Sequence, residues 1–240
     1  MIMLNQPFNG QLGEVLKNKM QEPYTKLVIM SAFAKNSGVL RLKPALKQFK
    51  ENGGRIEAFI GVDAHGTSYE AVLNLLDLCD ALYIVHSESA TSTFHSKIYM
   101  LSNNDSTWLA VGSNNLTGGG LWTNFESAAC FETTERTNEY IVEVEQLIAR
   151  YSDPAYQCSL HIQSKEDLDA LLEDDYLRKE INIQLDARSE RQSRNNAERQ
   201  HTPRRFGNQT GIHLPGLEQA PRGTVVRNRR GRTQTDVQAI

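Results

Sequence analysis

The sequence has no apolar run approaching the roughly 20 residues that a membrane-spanning helix needs. Its first residues, MIMLNQPFNGQ, also lack the basic region and apolar stretch of a secretory signal peptide. Cysteine is scarce, with Cys79, Cys130 and Cys158 as the three present and no Cys-x-x-Cys spacing. This odd number argues against a disulfide framework and against a zinc site of the usual spacing. These absences predict a soluble, cytoplasmic protein with reduced and mostly buried thiols.

Apolar residues are also few, at 39% of the chain, and the shortage is greatest at the C-terminal end. Residues 187–240 contain 12 hydrophobic residues among 54, together with eleven arginines, no lysine and four acidic residues. Such a segment cannot bury enough apolar surface to offset its ordering entropy, so we predict a disordered basic tail. The remaining 15 basic and 25 acidic residues leave a net charge of −10 on residues 1–186. An arginine-rich tail on an acidic body favours a polyanionic partner, and a solvated tail without a partner is the alternative.

Apolar runs and helical spacings alternate along the chain as far as Arg150. The apolar runs predict strands at 26–34, 55–62, 81–85, 94–101, 107–111 and 125–131. The helical spacings predict helices at 37–52, 69–78 and 137–150. We therefore expect an α/β fold with a mixed, mainly parallel sheet flanked by helices, and an antiparallel portion where strands follow one another directly. Residues 1–155 form the main domain of this prediction, and 156–186 form an extension with one acidic helix capped by Ser164.

The segment FHSKIYML at 94–101 carries the first candidate site residues. Side chains alternate along a strand, so His95, Lys97 and Tyr99 share one face, while the mainly apolar residues between them take the other. His95 and Lys97 would lie about 6–7 Å apart, which places a nucleophile or acid–base group beside a fixed positive charge. Because a His-x-Lys pair is also common by chance, it does not define a site alone.

A glycine-rich loop, VGSNNLTGGG at 111–120, supplies a second set of polar groups. A Gly-Ser turn leaving a strand places the Ser113 hydroxyl, the Asn115 amide and backbone N–H groups around one concavity. These groups are uncharged donors of the kind that grip phosphate oxygens. No lysine follows the glycines, which excludes a P-loop. Glu126 begins the next strand, where its carboxylate is either an exposed strand end or a partner for His95 Nδ1.

In this order and spacing, His95-x-Lys97, Gly112-Ser113-x-Asn115 and Glu126 resemble the motif of the phospholipase D superfamily, in its single-motif nuclease and restriction-endonuclease branch. The phrase GSNNLTGGGLWTNFE is similar to the usual loop of that family, and the resemblance spans residues 26–150. In the family pattern an Asp also follows the Lys, with four residues between them. This chain has Ser102 at that position, and Asp105 lies three residues further on.

The resemblance implies a metal-independent phosphodiesterase without a cofactor, with residues 1–155 as its catalytic domain. His95 would form a phosphohistidine, while Lys97, Ser113 and Asn115 hold the phosphate oxygens. A second histidine is needed to protonate the leaving oxygen, yet the five others lack the motif: His65, His86, His161, His201 and His213. Of these, His65 is best placed to rim the site, because it follows a strand. The economical solution is a homodimer that brings two copies of His95 together, and the resemblance implies the same.

We expect the substrate to be DNA rather than RNA, in a restriction or defence role, with the arginine tail neutralising flanking phosphates. One alternative is a phospholipid phosphodiesterase or transferase, which would need an apolar mouth or a membrane-binding helix and usually has two HxK motifs. The other alternative is a catalytically inactive module that binds nucleic acid and dimerises. Ser102, which replaces the family Asp, keeps this second alternative open.

Overall fold

The computed structural model describes residues 1–182 apart from residues 90 and 136, so the predicted basic tail lies outside the described residues. The elements follow in the order β1 (Ile2–Gln6), α1 (Leu12–Lys19), β2 (Lys26–Ser31), α2 (Asn36–Glu51), β3 (Arg55–Gly61), α3 (Tyr69–Leu78), β4 (Ala81–Val85), β5 (Lys97–Ser102), β6 (Thr107–Gly112), β7 (Glu126–Thr133), α4 (Glu139–Ser152), β8 (Ser159–Ile162) and α5 (Lys165–Glu173). None of these helices is both long and apolar enough to cross a bilayer.

The eight strands form one sheet in the order β1-β7-β6-β5-β2-β3-β4-β8. The parallel part consists of β2, β3 and β4, which α2 and α3 connect as crossovers. The other five strand pairs are antiparallel. The predicted α/β fold with a mixed sheet flanked by helices is confirmed, but the expectation of a mainly parallel sheet is wrong. Strands β5, β6 and β7 follow one another without a crossover helix, and short connections favour antiparallel pairing.

Hydrophobic clusters cover both faces of the sheet. The larger cluster packs α1, α2, α3 and α5 against one face, and the smaller one packs α4 against the other. Strand β5 shows the predicted alternation, because Tyr99 and Leu101 belong to the larger cluster while Ile98 and Met100 belong to the smaller. Full burial of a large apolar side chain contributes about 1.5–3 kcal/mol, so β5 is held firmly from both sides. The candidate residues at its start therefore stand on a fixed strand.

The predicted extension belongs to the same sheet. Strand β8 pairs with β4, and α5 packs on α3. The predicted helix start is confirmed, because the Ser164 side chain accepts a hydrogen bond from the Asp167 N–H and the Asp167 side chain accepts one from Ser164. We expected this helix to run from Ser164 to Leu185, but it ends at Glu173, since Asp175 adopts a left-handed φ of 62°.

Candidate active site

A cavity of about 850 Å³ opens at the edge of the sheet where β6 ends and β5 and β7 begin. The structure brings all five residues predicted for the site to this cavity: His95, Lys97, Ser113, Asn115 and Glu126. Strand pairing explains the convergence, because β6 lies between β5 and β7 and runs antiparallel to both. The end of β6 therefore lies beside the start of each neighbour, and motifs far apart in sequence meet in one place.

His95 and Lys97 form the centre of the cavity. The exposed His95 lies just before β5, while Lys97 is the first residue of the strand and is buried. The Lys97 ammonium lies 2.8 Å from His95 Nδ1 and donates to the His95 carbonyl oxygen, also at 2.8 Å. Burial lowers the pKa of Lys97, and attraction to Glu126 partly opposes that effect. When Lys97 is charged, its ammonium donates a hydrogen bond to His95 Nδ1, and a neutral ring then carries its proton on Nε2.

The segment that carries His95 is held by Asp63, which sequence reasoning missed. One carboxylate oxygen of Asp63 accepts a hydrogen bond from the Phe94 N–H at 2.9 Å, and the other lies 2.7 Å from His86 Nδ1. The Phe94 ring is buried in the smaller cluster. Both the backbone and the side chain next to His95 are thus fixed. The signal in the sequence was faint: an Asp directly after a predicted strand.

The glycine-rich loop presents the amide of Asn115 in a defined orientation. Asn115 Oδ1 accepts a hydrogen bond from the Phe33 N–H at 3.1 Å, so its Nδ2 remains as the donor on the cavity side. Below it, the buried Tyr99 hydroxyl donates to the Asn114 carbonyl at 3.0 Å. A Cβ on Gly112 would lie 2.2 Å from the Ser127 carbonyl oxygen, so the close approach of β6 and β7 requires glycine there.

Backbone N–H groups contribute less to the cavity than the sequence suggested. Six N–H groups of the loop and of Leu121, which follows it, donate to acceptors within the protein, namely those of Ser113, Leu116, Thr117, Gly118, Gly120 and Leu121. Two of the acceptors are the Ser31 and Ser37 hydroxyls, which tie the loop to β2 and α2. Side chains are therefore the main donors that face a ligand.

Glu126 is a partner of Ser113, not of His95, within one chain. The Ser113 hydroxyl donates to one Glu126 oxygen, and Asn124 Nδ2 donates to the other at 3.3 Å. The sequence left open whether Glu126 pairs with His95 Nδ1. It does not do so within this chain, because the Lys97 ammonium contacts that nitrogen. The Ser113 hydroxyl proton points at Glu126, which leaves Lys97 and Asn115 as the donors that are ready for an anion.

Gln6 is a second residue that sequence reasoning missed. It is 1% exposed, and its side-chain amide donates to the carbonyls of Gly119, Gly120 and Asn124 at 3.0–3.3 Å. Strand β1 is paired with β7 so that Gln6 lies opposite Glu126. Gln6 thus anchors the turn that leads into Glu126. A polar residue near the N-terminus gives no sign of such burial.

Two other residues singled out from the sequence lie away from the cavity. His65 faces Asp175 with 4.0 Å between Nε2 and the nearer carboxylate oxygen, and it does not line the cavity. Ser102, which stands at the position of the family Asp, lies at the far end of β5, opposite Lys26. It lies five residues beyond Lys97 along the strand, a distance of about 17 Å. The replacement of that Asp therefore leaves the cavity intact. No group of three or more metal-ligating side chains occurs among the described residues.

Comparison with protein-family models and with curated proteins gave no match. Among solved structures, the chain is similar to phosphatidylserine synthase of Haemophilus influenzae Rd KW20, with a TM-score of 0.52 and 16% identity; the similarity covers 82% of this chain and 46% of the synthase. Nuc of Salmonella typhimurium, a phospholipase D family member, gives a TM-score of 0.49 at 16% identity, covering 68% of this chain and 97% of Nuc. NucT of Helicobacter pylori gives 0.47 at 11%, covering 62% and 92%. The predicted phospholipase D-like fold is confirmed, as a fold.

Proposed function

We propose that this protein is a metal-independent phosphodiesterase that cleaves nucleic acid through a phosphohistidine, at a site shared by two copies of the chain. The observation that carries the proposal is the convergence of His95, Lys97, Ser113 and Asn115 on one open cavity. Together they offer a nucleophile, a cation and neutral donors, which is what transfer of a phosphoryl group requires.

Phosphate binding uses the two donors that already face the cavity. Lys97 Nζ and Asn115 Nδ2 take the non-bridging oxygens, and Ser113 joins them when its hydroxyl turns away from Glu126. Lys97 provides the positive charge that offsets the charge spread over those oxygens in the transition state. Its burial strengthens this interaction, because the local dielectric is lower than that of water.

Phosphate binding also prepares His95 for attack. In the free protein, Lys97 Nζ lies 2.8 Å from Nδ1, and a charged Lys97 then requires that the proton of the neutral ring be on Nε2. When Lys97 turns to the phosphate, Nδ1 becomes free to carry the proton and Nε2 presents its lone pair. Nε2 then bonds to phosphorus while the bond from phosphorus to the leaving oxygen breaks, and that oxygen takes a proton. Water subsequently attacks phosphorus, the P–N bond breaks, and His95 returns to its starting state.

The proton donor in this scheme is His95 of the partner subunit. It protonates the leaving oxygen in the first step and accepts a proton from the attacking water in the second. Among the described residues, no second histidine of the chain lines the cavity, so within the described part of one chain no histidine other than His95 is placed for this role. A two-fold axis through the cavity would place two copies of His95 on opposite sides of one phosphate.

DNA as the preferred substrate and a restriction or defence role rest on the motif resemblance and on the eleven arginines of residues 187–240. A phospholipid phosphodiesterase or transferase is the second candidate, favoured by the fold shared with phosphatidylserine synthase. The single HxK motif favours nucleic acid as the substrate. Both candidates use the same chemistry, so substrate choice separates them.

The test is cleavage of plasmid, single-stranded DNA, RNA and phospholipid vesicles by the full chain in excess EDTA. We expect cleavage of nucleic acid, and a loss of roughly 10³-fold or more in His95→Ala, because the nucleophile is gone. His161→Ala is the matched control, since that exposed histidine stacks on Tyr83 outside the cavity. Activity that disappears with EDTA, or survives in His95→Ala, would refute the mechanism. Hydrolysis of the vesicles alone would favour the second candidate.

A further inference from the structure

Two phenylalanines stand exposed at the mouth of the cavity that holds His95. Phe8 follows β1 and Phe125 directly precedes β7, and each is 65% exposed. Their ring centroids lie 5.6 Å apart, with 32° between the ring planes. Both line the same cavity as His95 and Lys97. An aromatic pair thus borders a site whose other groups are polar.

The position of this pair is fixed by the strands beneath it. Gln6 lies opposite Glu126 where β1 pairs with β7. Phe8 and Phe125 follow and precede this residue pair, so their backbones lie near each other just beyond the paired ends of the two neighbouring strands. Gln6 also donates to the carbonyl of Asn124, the residue before Phe125. The backbone that carries the two rings is therefore held in place, and the rings contact each other while burying little of their own surface. A rigid aromatic surface is suited to stacking, because little ordering entropy is lost when a flat group packs on it.

We propose that Phe8 and Phe125 form a platform on which an unpaired base of the substrate stacks beside the scissile phosphate. Resting on the proposed function, this inference makes single-stranded nucleic acid the preferred substrate, and of the two roles named above it favours defence over restriction of duplex DNA. Aromatic side chains stack on any base, whereas both faces of a base inside a duplex are already covered by its neighbours. Unstacking a duplex base would cost a few kcal/mol, which disfavours duplex substrates.

The charge of the protein supports recognition of bases at this site. Residues 1–186 carry a net charge of −10. Among the described residues that line the cavity, Lys97 is the one lysine or arginine. A groove that follows the backbone of a nucleic acid needs several cations, and this part of the chain supplies one. Stacking supplies affinity that does not depend on phosphate neutralisation. In a two-fold dimer, each copy would bring its own platform, one on either side of the shared phosphate.

Binding is measured separately from cleavage, with the full chain carrying His95→Ala and in EDTA. Fluorescence anisotropy reports binding of three probes: a single-stranded oligonucleotide, the same strand with abasic sites around its central phosphate, and its duplex. We expect Phe8→Ala and Phe125→Ala each to weaken binding of the intact single strand by about 5- to 150-fold. Binding of the abasic strand should change less than about twofold by the same reasoning. Phe8→Trp should retain affinity, and Leu40→Ala, an exposed apolar residue on α2, is the control.

Equal loss on the intact and abasic strands, or tighter binding of the duplex, would overturn the proposal. So would a halved mass of the Phe8→Ala protein in solution, because the rings would then form an interface between copies. The proposed function has its own test in cleavage by the protein without His95→Ala. Base-dependent binding without cleavage would keep the platform and refute the nuclease, whereas cleavage with no effect of the phenylalanines would do the reverse.

Discussion

Removing the Asp63 carboxylate should impair catalysis without touching the cavity. Asp63→Ala leaves the Phe94 N–H without its acceptor at 2.9 Å and removes the partner of His86 Nδ1 at 2.7 Å. A buried donor left unpaired costs about 1–3 kcal/mol. Phe94 is adjacent to His95, so the loss acts directly on the position of the nucleophile. A misplacement of about 1 Å can reduce a rate about 100-fold. We expect kcat to fall about 10- to 100-fold by this reasoning, with KM little changed.

The control for Asp63 is Asp80, which makes the equivalent bond at the opposite end of the sheet. Asp80 accepts a hydrogen bond from the Ile56 N–H at 2.8 Å, near the start of β3. Asp80→Ala should also lower the free energy of unfolding by about 1–3 kcal/mol, but it should leave kcat unchanged. Steady-state kinetics and urea unfolding of both variants give the comparison. The reasoning is refuted if Asp63→Ala and Asp80→Ala lose stability equally and neither loses activity.

Three further predictions follow from the same geometry. Burial lowers the pKa of Lys97, so its ammonium loses its proton at a lower pH than an ordinary lysine. KM should therefore begin to rise at a lower alkaline pH than an ordinary lysine would give, because phosphate affinity falls when Lys97 loses its charge. Lys97→Arg stays charged and should remove this rise. Identical pH–KM profiles of the two proteins would contradict this prediction. Ser102→Asp should change kcat less than about twofold, because the position is about 17 Å from Lys97; a large gain in activity would show that the missing Asp matters. Gln6→Ala removes three hydrogen bonds to the turn before Glu126 and should lower the free energy of unfolding by about 1–3 kcal/mol in denaturant titrations, and an unchanged midpoint would refute the anchoring role.

The residues that line the candidate site could be located in the sequence because most of them lie in two short motifs, each with its own spacing. His95-x-Lys97 and Gly112-Ser113-x-Asn115 needed no knowledge of long-range contacts to be found. Their convergence followed from antiparallel pairing of β5 and β6, which a short connection favours. The strand itself was predicted from Phe94 but begins at Lys97. Asp63 explains the difference, because it takes the Phe94 N–H away from the ladder.

The features that escaped prediction depend on contacts distant in sequence. Asp63 and Phe94 are 31 residues apart, and Gln6 reaches carbonyls 113 to 118 residues away. Strand β1 was missed because its two polar residues, Asn5 and Gln6, interrupt the apolar run that would predict a strand. Gln6 is nevertheless buried, although it is polar. The proportion of parallel strands was overestimated because alternating strand and helix signals do not reveal that β5 inserts beside β2. Pairing order is a property of the packed core and not of any single segment.

The proposed function depends most directly on one step, in which His95 forms a covalent bond to phosphorus without a metal ion. Rapid mixing of the protein with single-stranded DNA in EDTA, followed by an alkaline quench and mass spectrometry of peptides, tests it directly. We expect a nucleotide adduct on the peptide that contains His95, which appears before the product is released and is absent in His95→Ala. Cleavage in EDTA that proceeds with no adduct on His95 at any time would contradict it.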